Sequence, residues 1–215
     1  LQNFSGDVQI RGTTFIKANT NTNNVAIGTV SGETAQGVNT VAVGVGAGRT
    51  SQGTSAVAVG DNAGLTVQGN YTVAVGRVAG QTSQGTSAVA VGTAAGQTSQ
   101  GARATAVGYV SGYSEQGIHA IAVGTSSGMT SQGTYATAMG NQAGNSEQGA
   151  GAVAAGNGAG QTSQGTHAIA VGQAAGYSEQ GGAAVAVGYQ AGQTSQGANA
   201  TAVGYLAGNS EQAIN

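Results

Sequence analysis

Apolar and polar positions alternate along this chain in a pattern that returns every 16 residues. Twelve copies of V-A-V-G-x-x-A-G-x-T-S-Q-G-x-x-A follow one another without insertion or deletion, from Val25 to Gln212. A fixed period this short marks a solenoid, in which each unit stacks on the last and none folds alone. Repeat positions are numbered here from the residue that opens V-A-V-G. Position 2 is always Ala, positions 4 and 8 are always Gly, and position 10 is always Thr or Ser. Position 12 is always Gln, and position 13 is Gly except at Ala213.

Positions 16 to 3 read as a short strand rich in Val, Ile, Thr and Ala. Positions 9 to 12 read as a second, more polar strand. Glycine columns at positions 4, 8 and 13 punctuate the bends, where positive φ or close backbone approach favours Gly. A helix is excluded: the V-A-V alternation has period 2, and each recurring glycine costs a helix about 1 kcal/mol relative to Ala. The expected fold is all-β, a two-sided parallel β-roll (β-solenoid) of twelve 16-residue coils. Coils about 4.8 Å apart give a rod about 55–60 Å long. Residues 1–24 do not repeat and read as an N-terminal cap or connector, carrying Phe4, Phe15 and Val8-Gln9-Ile10-Arg11. Residues 25–215 form the β-roll domain.

Both faces of the first strand are apolar. Positions 1 and 3 hold Val, Ile or Thr, with Met139 and Ala155 as variants, whereas positions 16 and 2 are nearly all Ala. A strand apolar on both faces is buried on both. The expectation is that the Ala row points outward and packs against other copies of the chain, since so long an apolar row exceeds what a monomer leaves wet. On the second strand, the position-12 glutamines stack: Gln36, Gln52, Gln68, Gln84, Gln100, Gln116, Gln132, Gln148, Gln164, Gln180, Gln196 and Gln212. Their amides should form a structural ladder, each NH₂ donating to the next carboxamide oxygen. Position 11 alternates Ser and Glu from Ser99 to Glu211. On an exposed face, this separates like charges that would repel on adjacent coils.

Composition narrows the function. Only 6% of residues are charged, and there is no Pro, Cys or Trp. High glycine without proline excludes collagen, and no thiol chemistry is available. All five cations (Arg11, Lys17, Arg49, Arg77, Arg103) precede the run Glu115, Glu147, Glu179, Glu211. No basic stripe exists to neutralise phosphates, so nucleic-acid binding is not expected. No apolar run is long enough for a membrane helix, so direct membrane insertion is not expected. Residue 1 is Leu and the chain stops within a repeat, which reads as a fragment.

Catalytic material is sparse. His119 and His167 share position 15, and Asp7 and Asp61 are the only aspartates. No triad, no metal site and no cofactor site is expected. Positions 5, 6, 9, 14 and 15 carry nearly all side-chain diversity. All seven tyrosines lie there: Tyr109, Tyr189 and Tyr205 at position 5, Tyr113 and Tyr177 at 9, Tyr71 and Tyr135 at 15. With His119 and His167 they are the candidate surface contacts, since rings at rigid bends stack on sugars or grip a protein. Asn3, Asn70 and Asn199 begin N-x-S/T sequons.

The V-A-V/I-G strand, the following A-G and the T-S-Q-G half resemble the repeats of YadA-like trimeric autotransporter adhesin heads. They are also similar to repeats in phage and large-virus tail fibres. The resemblance covers Val25 to Gln212. It implies a left-handed roll, three of which pack side by side, and attachment to a host glycan or protein, with the chain on a virion or cell surface. Adhesin heads have somewhat shorter repeats, and no neck motif, stalk or anchor is visible here. An ice-binding β-solenoid is the alternative, resting on the position-10 hydroxyl row, which Ser114, Ser146, Ser178 and Ser210 interrupt.

Overall fold

The computed structural model describes residues 8–10, 13–19 and 23–210, with side chains from residue 23 onward. Asn3, Phe4, Asp7, Arg11, Glu211 and Gln212 lie outside the described residues, as do the side chains of Phe15 and Lys17. Every described element is a strand or a turn. The chain winds into stacked 16-residue coils: eleven complete ones from Val25 to Ala200, and the start of a twelfth. It is a β-solenoid with two sheets.

β1 (Val8–Ile10), β2 (Thr13–Asn19), β3 (Asn24–Ile27) and β4 (Val41–Val43) begin a 14-stranded sheet that continues through every V-A-V to Thr201–Val203. β5 (Thr50–Gln52) begins a 10-stranded sheet that runs to Thr194–Gln196. Within the roll all pairing is parallel and each residue faces its counterpart one repeat away: Val89 faces Val73 and Thr105, and Gln100 faces Gln84 and Gln116. At the N-terminal edge, β2 pairs antiparallel with β3 through Ile16–Ile27, Lys17–Ala26, Ala18–Val25 and Asn19–Asn24. Asn24 also caps the first bend, accepting from Thr40 N at 3.0 Å and donating to Gly37 O at 2.8 Å.

From β4 onward each strand is one residue shorter than its expected span. Position 16 belongs to the bend, where its amide donates three residues back, as Ala56 N does to Gly53 O at 3.3 Å. Position 9 likewise lies outside its strand, between the turn at positions 5 to 8 and position 10.

The Ala face requires a correction. It points inward, not outward. Ala42, Ala58, Ala74 and Ala90 at position 2, Ala47, Ala63 and Ala79 at position 7, and Ala56 and Ala88 at position 16 are wholly buried. The outward row is the larger one, Val, Ile and Thr at positions 1 and 3, where residues are half-buried or exposed. Size explains the inversion. A Cβ placed on Gly80 would stand 3.2 Å from the Ala74 methyl, so the interior accepts methyl groups and little more.

Hydrogen bonds between coils run through the bends as well as the strands. Gly60 N donates back to Val43 O, Asn62 N to Val45 O and Tyr71 N to Thr54 O, each at 2.8 Å. Those donors sit at positions 4, 6 and 15, where φ is positive: 132°, 53° and 58° respectively. Position 11 also has positive φ, as at Ser51 (54°), and its amide likewise donates back, to Thr34 O. At position 13 φ is ordinary and proximity demands glycine instead: a Cβ on Gly149 would stand 2.6 Å from the backbone carbon of Gly165.

Two outcomes follow. Ala122→Val should overpack the interior and lower stability by about 1–3 kcal/mol; thermal denaturation followed by circular dichroism checks it. Val67, a β-branched residue at φ 44° and 56% exposed, is held in a region it disfavours. Val67→Asn should raise stability by about 1 kcal/mol, seen as a higher melting temperature in the same assay.

Candidate functional site

The glutamine ladder forms over most of its expected length. Gln68 donates to Gln84 Oε1, and the relay continues through Gln100, Gln116, Gln132, Gln148, Gln164 and Gln180 to Gln196 at 3.1–3.2 Å per step. Each Nε2 also donates across the interior to the position-1 carbonyl, as Gln132 does to Ile121 O at 2.7 Å. A longer contact reaches the position-16 carbonyl, Ala136 O at 3.3 Å. An amide NH₂ has two protons, so the three contacts share them. The glycine at position 8 makes the space: a Cβ on Gly128 would lie 2.8 Å from Gln132 Cδ. The ladder is therefore the polar half of the core.

Its N-terminal end departs from the expectation. Gln36 turns away and donates to Gly48 O at 2.7 Å. Gln52 uses its amide protons on Val41 O and Ala56 O. Gln52 Oε1 and Gln68 Oε1 are consequently buried without a donor among the described residues. Gln36 and Gln52 belong to the column without joining the relay.

On the outer face of the second sheet, the Ser/Glu alternation carries hydrogen bonds. Ser131 donates to Glu115, Ser163 to Glu147 and Ser195 to Glu179, at 3.0, 3.0 and 3.1 Å. Serine thus separates the carboxylates and also holds each in place. Position-10 hydroxyls are engaged as well: Thr50 Oγ1 donates to Leu65 O and Thr98 Oγ1 to Tyr113 O, both at 3.1 Å.

The variable columns occupy the bends. At position 15, His119 and Tyr135 stack with ring centroids 4.9 Å apart and planes 5° from parallel. Arg103 Nη1 approaches His119 Nε2 at 3.4 Å from the preceding coil. Arg103 was legible only as a column member; its part in the stack shows when residues 16 apart are read as neighbours. His167 lies two coils beyond Tyr135, across Gly151, and leans into the vacant place: its Nδ1 is 2.6 Å from where a Gly151 Cβ would stand. Tyr71 stands apart, separated from Arg103 by Ser87.

At position 5, Tyr189 and Tyr205 stack at 5.4 Å with planes 11° apart. Tyr109 is exposed between Thr93 and Thr125 and has no ring neighbour in its column. At position 9, Tyr113 is half-buried between Gln97 and Met129. Tyr177 lies over Gly158, with ring carbons 3.5 Å from a Cβ position there. The structure therefore joins four of the nine candidate rings into two stacked pairs and leaves the other five apart. Arg49 and Glu33, also at position 9, form an exposed ion pair at 2.7 Å, worth at most about 1 kcal/mol at the surface. Asn70 Oδ1 accepts from Thr54 N at 2.9 Å.

No group of three or more His, Cys, Asp or Glu that could hold a metal occurs among the described residues. Among the described residues no helix is long and apolar enough to cross a membrane. Compared with family models, curated proteins and solved structures, the chain matches none.

Replacing Gln116, Gln132 and Gln148 together with Leu should destabilise the roll by about 1–3 kcal/mol per site, because Thr105 O, Ile121 O and Thr137 O lose their donors. Melting temperature checks this, and an unchanged value would show that the ladder does not hold the coils.

Proposed function

We propose that this chain is a non-catalytic, structural and host-attachment segment of a homotrimeric fibre or surface adhesin, displayed outside the cell on a virion or a cell surface. One observation carries the reading: the outward face of the 14-stranded sheet. Its side chains at positions 1 and 3 form two columns of Val, Ile and Thr along the roll, varied only by Met139 and Ala155 and including Val89, Val91, Ile121, Val123, Ile169 and Val171. Flat strips of β-branched residues repeating at coil spacing exceed the scattered apolar exposure of ordinary surfaces. Copies of the same chain, stacked at the same spacing, match such a strip coil for coil. The likeness of the repeat to adhesin heads and tail fibres supports three copies side by side. The variable bends then lie away from the shared face, where they can meet a receptor glycan or protein.

The ice-binding alternative needs free ranks of hydroxyls. The position-10 hydroxyls donate to carbonyls of the next coil, which favours the fibre reading over it.

Light scattering on residues 1–215 tests the proposal. A solution mass near 61.2 kDa, three times the chain's 20.4 kDa, is expected. Val91→Lys with Val123→Lys should shift it towards the single-chain mass while the circular dichroism of the roll persists. A wild-type mass of 20.4 kDa would overturn the trimer.

A further inference from the structure

The geometry points to a carbohydrate site in the position-15 column: Arg103, His119, Tyr135 and His167 bind an acidic saccharide, the guanidinium taking its carboxylate and the ring edges its hydroxyls. This rests on the attachment reading above and specifies the ligand.

The column is built to a fixed geometry. Arg103, His119 and Tyr135 share φ values of 58°, 59° and 59°, so their side chains leave the bend in the same direction. Their amides are tied to the preceding coil, at Thr86 O, Ala102 O and Ile118 O, at 2.9–3.0 Å. The His119–Tyr135 stack and the Arg103–His119 contact order side chains that would otherwise move freely. Gly151 leaves the next place empty and His167 reaches towards it, so the column continues past Tyr135. Fixing donors before the ligand arrives removes part of the ordering cost of binding.

The chemistry selects the ligand class. The only ion pair among the described residues is Arg49–Glu33; with Nη1 turned to His119, the remaining N–H groups of Arg103 are left for an incoming carboxylate, the group a guanidinium fits best. When neutral His119 accepts from Arg103 at Nε2, its Nδ1–H remains a donor. The Tyr135 hydroxyl makes no hydrogen bond among the described residues, and its residue is 65% exposed. The stack covers the facing sides of His119 and Tyr135, so along that pair the ligand meets ring edges that donate and accept. One cation followed by several neutral polar edges suits a molecule with one carboxylate and many hydroxyls. A polyanionic peptide or nucleic acid fits poorly, because the charged residues described beyond Arg103 are Glu115, Glu147 and Glu179.

Calorimetric titration of residues 1–215 with 3′-sialyllactose, lactose and a pentaglutamate peptide tests the inference, with adhesion of the same preparation to host cells measured alongside. Sialyllactose should bind and the other two should not. Arg103→Ala should weaken binding at least about tenfold, and Arg103→Lys by less, since lysine keeps the charge but loses the fork. Tyr135→Phe and His119→Ala should each weaken it several-fold. Arg77→Ala, which removes a cation on the opposite bend, should leave it unchanged. All these side chains are at the surface, so the melting temperature should stay near the wild-type value and separate lost binding from lost fold. Absence of sialyllactose binding, equal loss in Arg77→Ala, or tighter binding of pentaglutamate would overturn the site. Adhesion persisting while sialyllactose fails would leave attachment standing and remove only this ligand class. Sialyllactose binding without adhesion would do the reverse.

Discussion

On its alanine side the interior of this roll is about one methyl group deep, and the rest of the structure answers to that thinness. An interior of alanine buries little apolar area per residue, and burial contributes only about 25 cal/mol per Å². Cohesion must then come largely from backbone hydrogen bonds between coils. They extend through bends as well as strands, from Gly60 N to Val43 O and from Tyr71 N to Thr54 O. Glutamine is the one large side chain admitted, and it is admitted because its amide joins three carbonyl oxygens at once. A leucine there would have comparable bulk and no way to satisfy those acceptors. Gly128 and its equivalents exist to give the amide room.

Bending a chain so tightly requires residues with positive φ, and the roll places them where they serve hydrogen bonding. Val78 and Val110 at position 6 have φ 52° and 56°, a region that costs L-residues about 1–2 kcal/mol each. Their amides donate back to Asp61 O and Thr93 O at 2.8 and 2.9 Å. A bend with ordinary φ would turn those amides elsewhere and leave the preceding coil's carbonyls unpaired. The strain is the local cost of a continuous ladder.

Periodicity made the coil, the parallel register, the two sheets and the glutamine relay legible in the sequence. A 16-residue repeat without insertions leaves no other way for Val89 to meet Val73 and Thr105. What periodicity could not decide was direction. With Val on one face of a strand and Ala on the other, hydrophobicity alone places the larger residue inside, or leaves the choice open. Only the interior's depth, set by how closely the glycines at position 8 approach the alanines at position 2, sends valine outward. The ring stacks were hidden for a related reason. His119 and Tyr135 are 16 residues apart in the chain and 4.9 Å apart in the fold, so neither resembles a motif when read along the sequence.

Constraint and variation also divide the surface into two kinds of column. At positions 1 and 3 the side chain is free of the core yet stays β-branched in nearly every coil. The interior does not demand this, because those side chains do not enter it. Strand propensity accounts for part of the choice, but the polar strand tolerates Ser, Thr and Glu at its own exposed positions. That apolar face, kept without help from the core, is the feature on which the proposed self-association rests. Position 15 shows the converse. Its φ is fixed near 58° in every coil whose position 15 is described, yet it carries Tyr, Ser, Arg, His, Gly, Ala and Asn. The backbone there is specified and the side chain is free, which is the condition under which a rigid scaffold can vary a binding surface without disturbing its own fold.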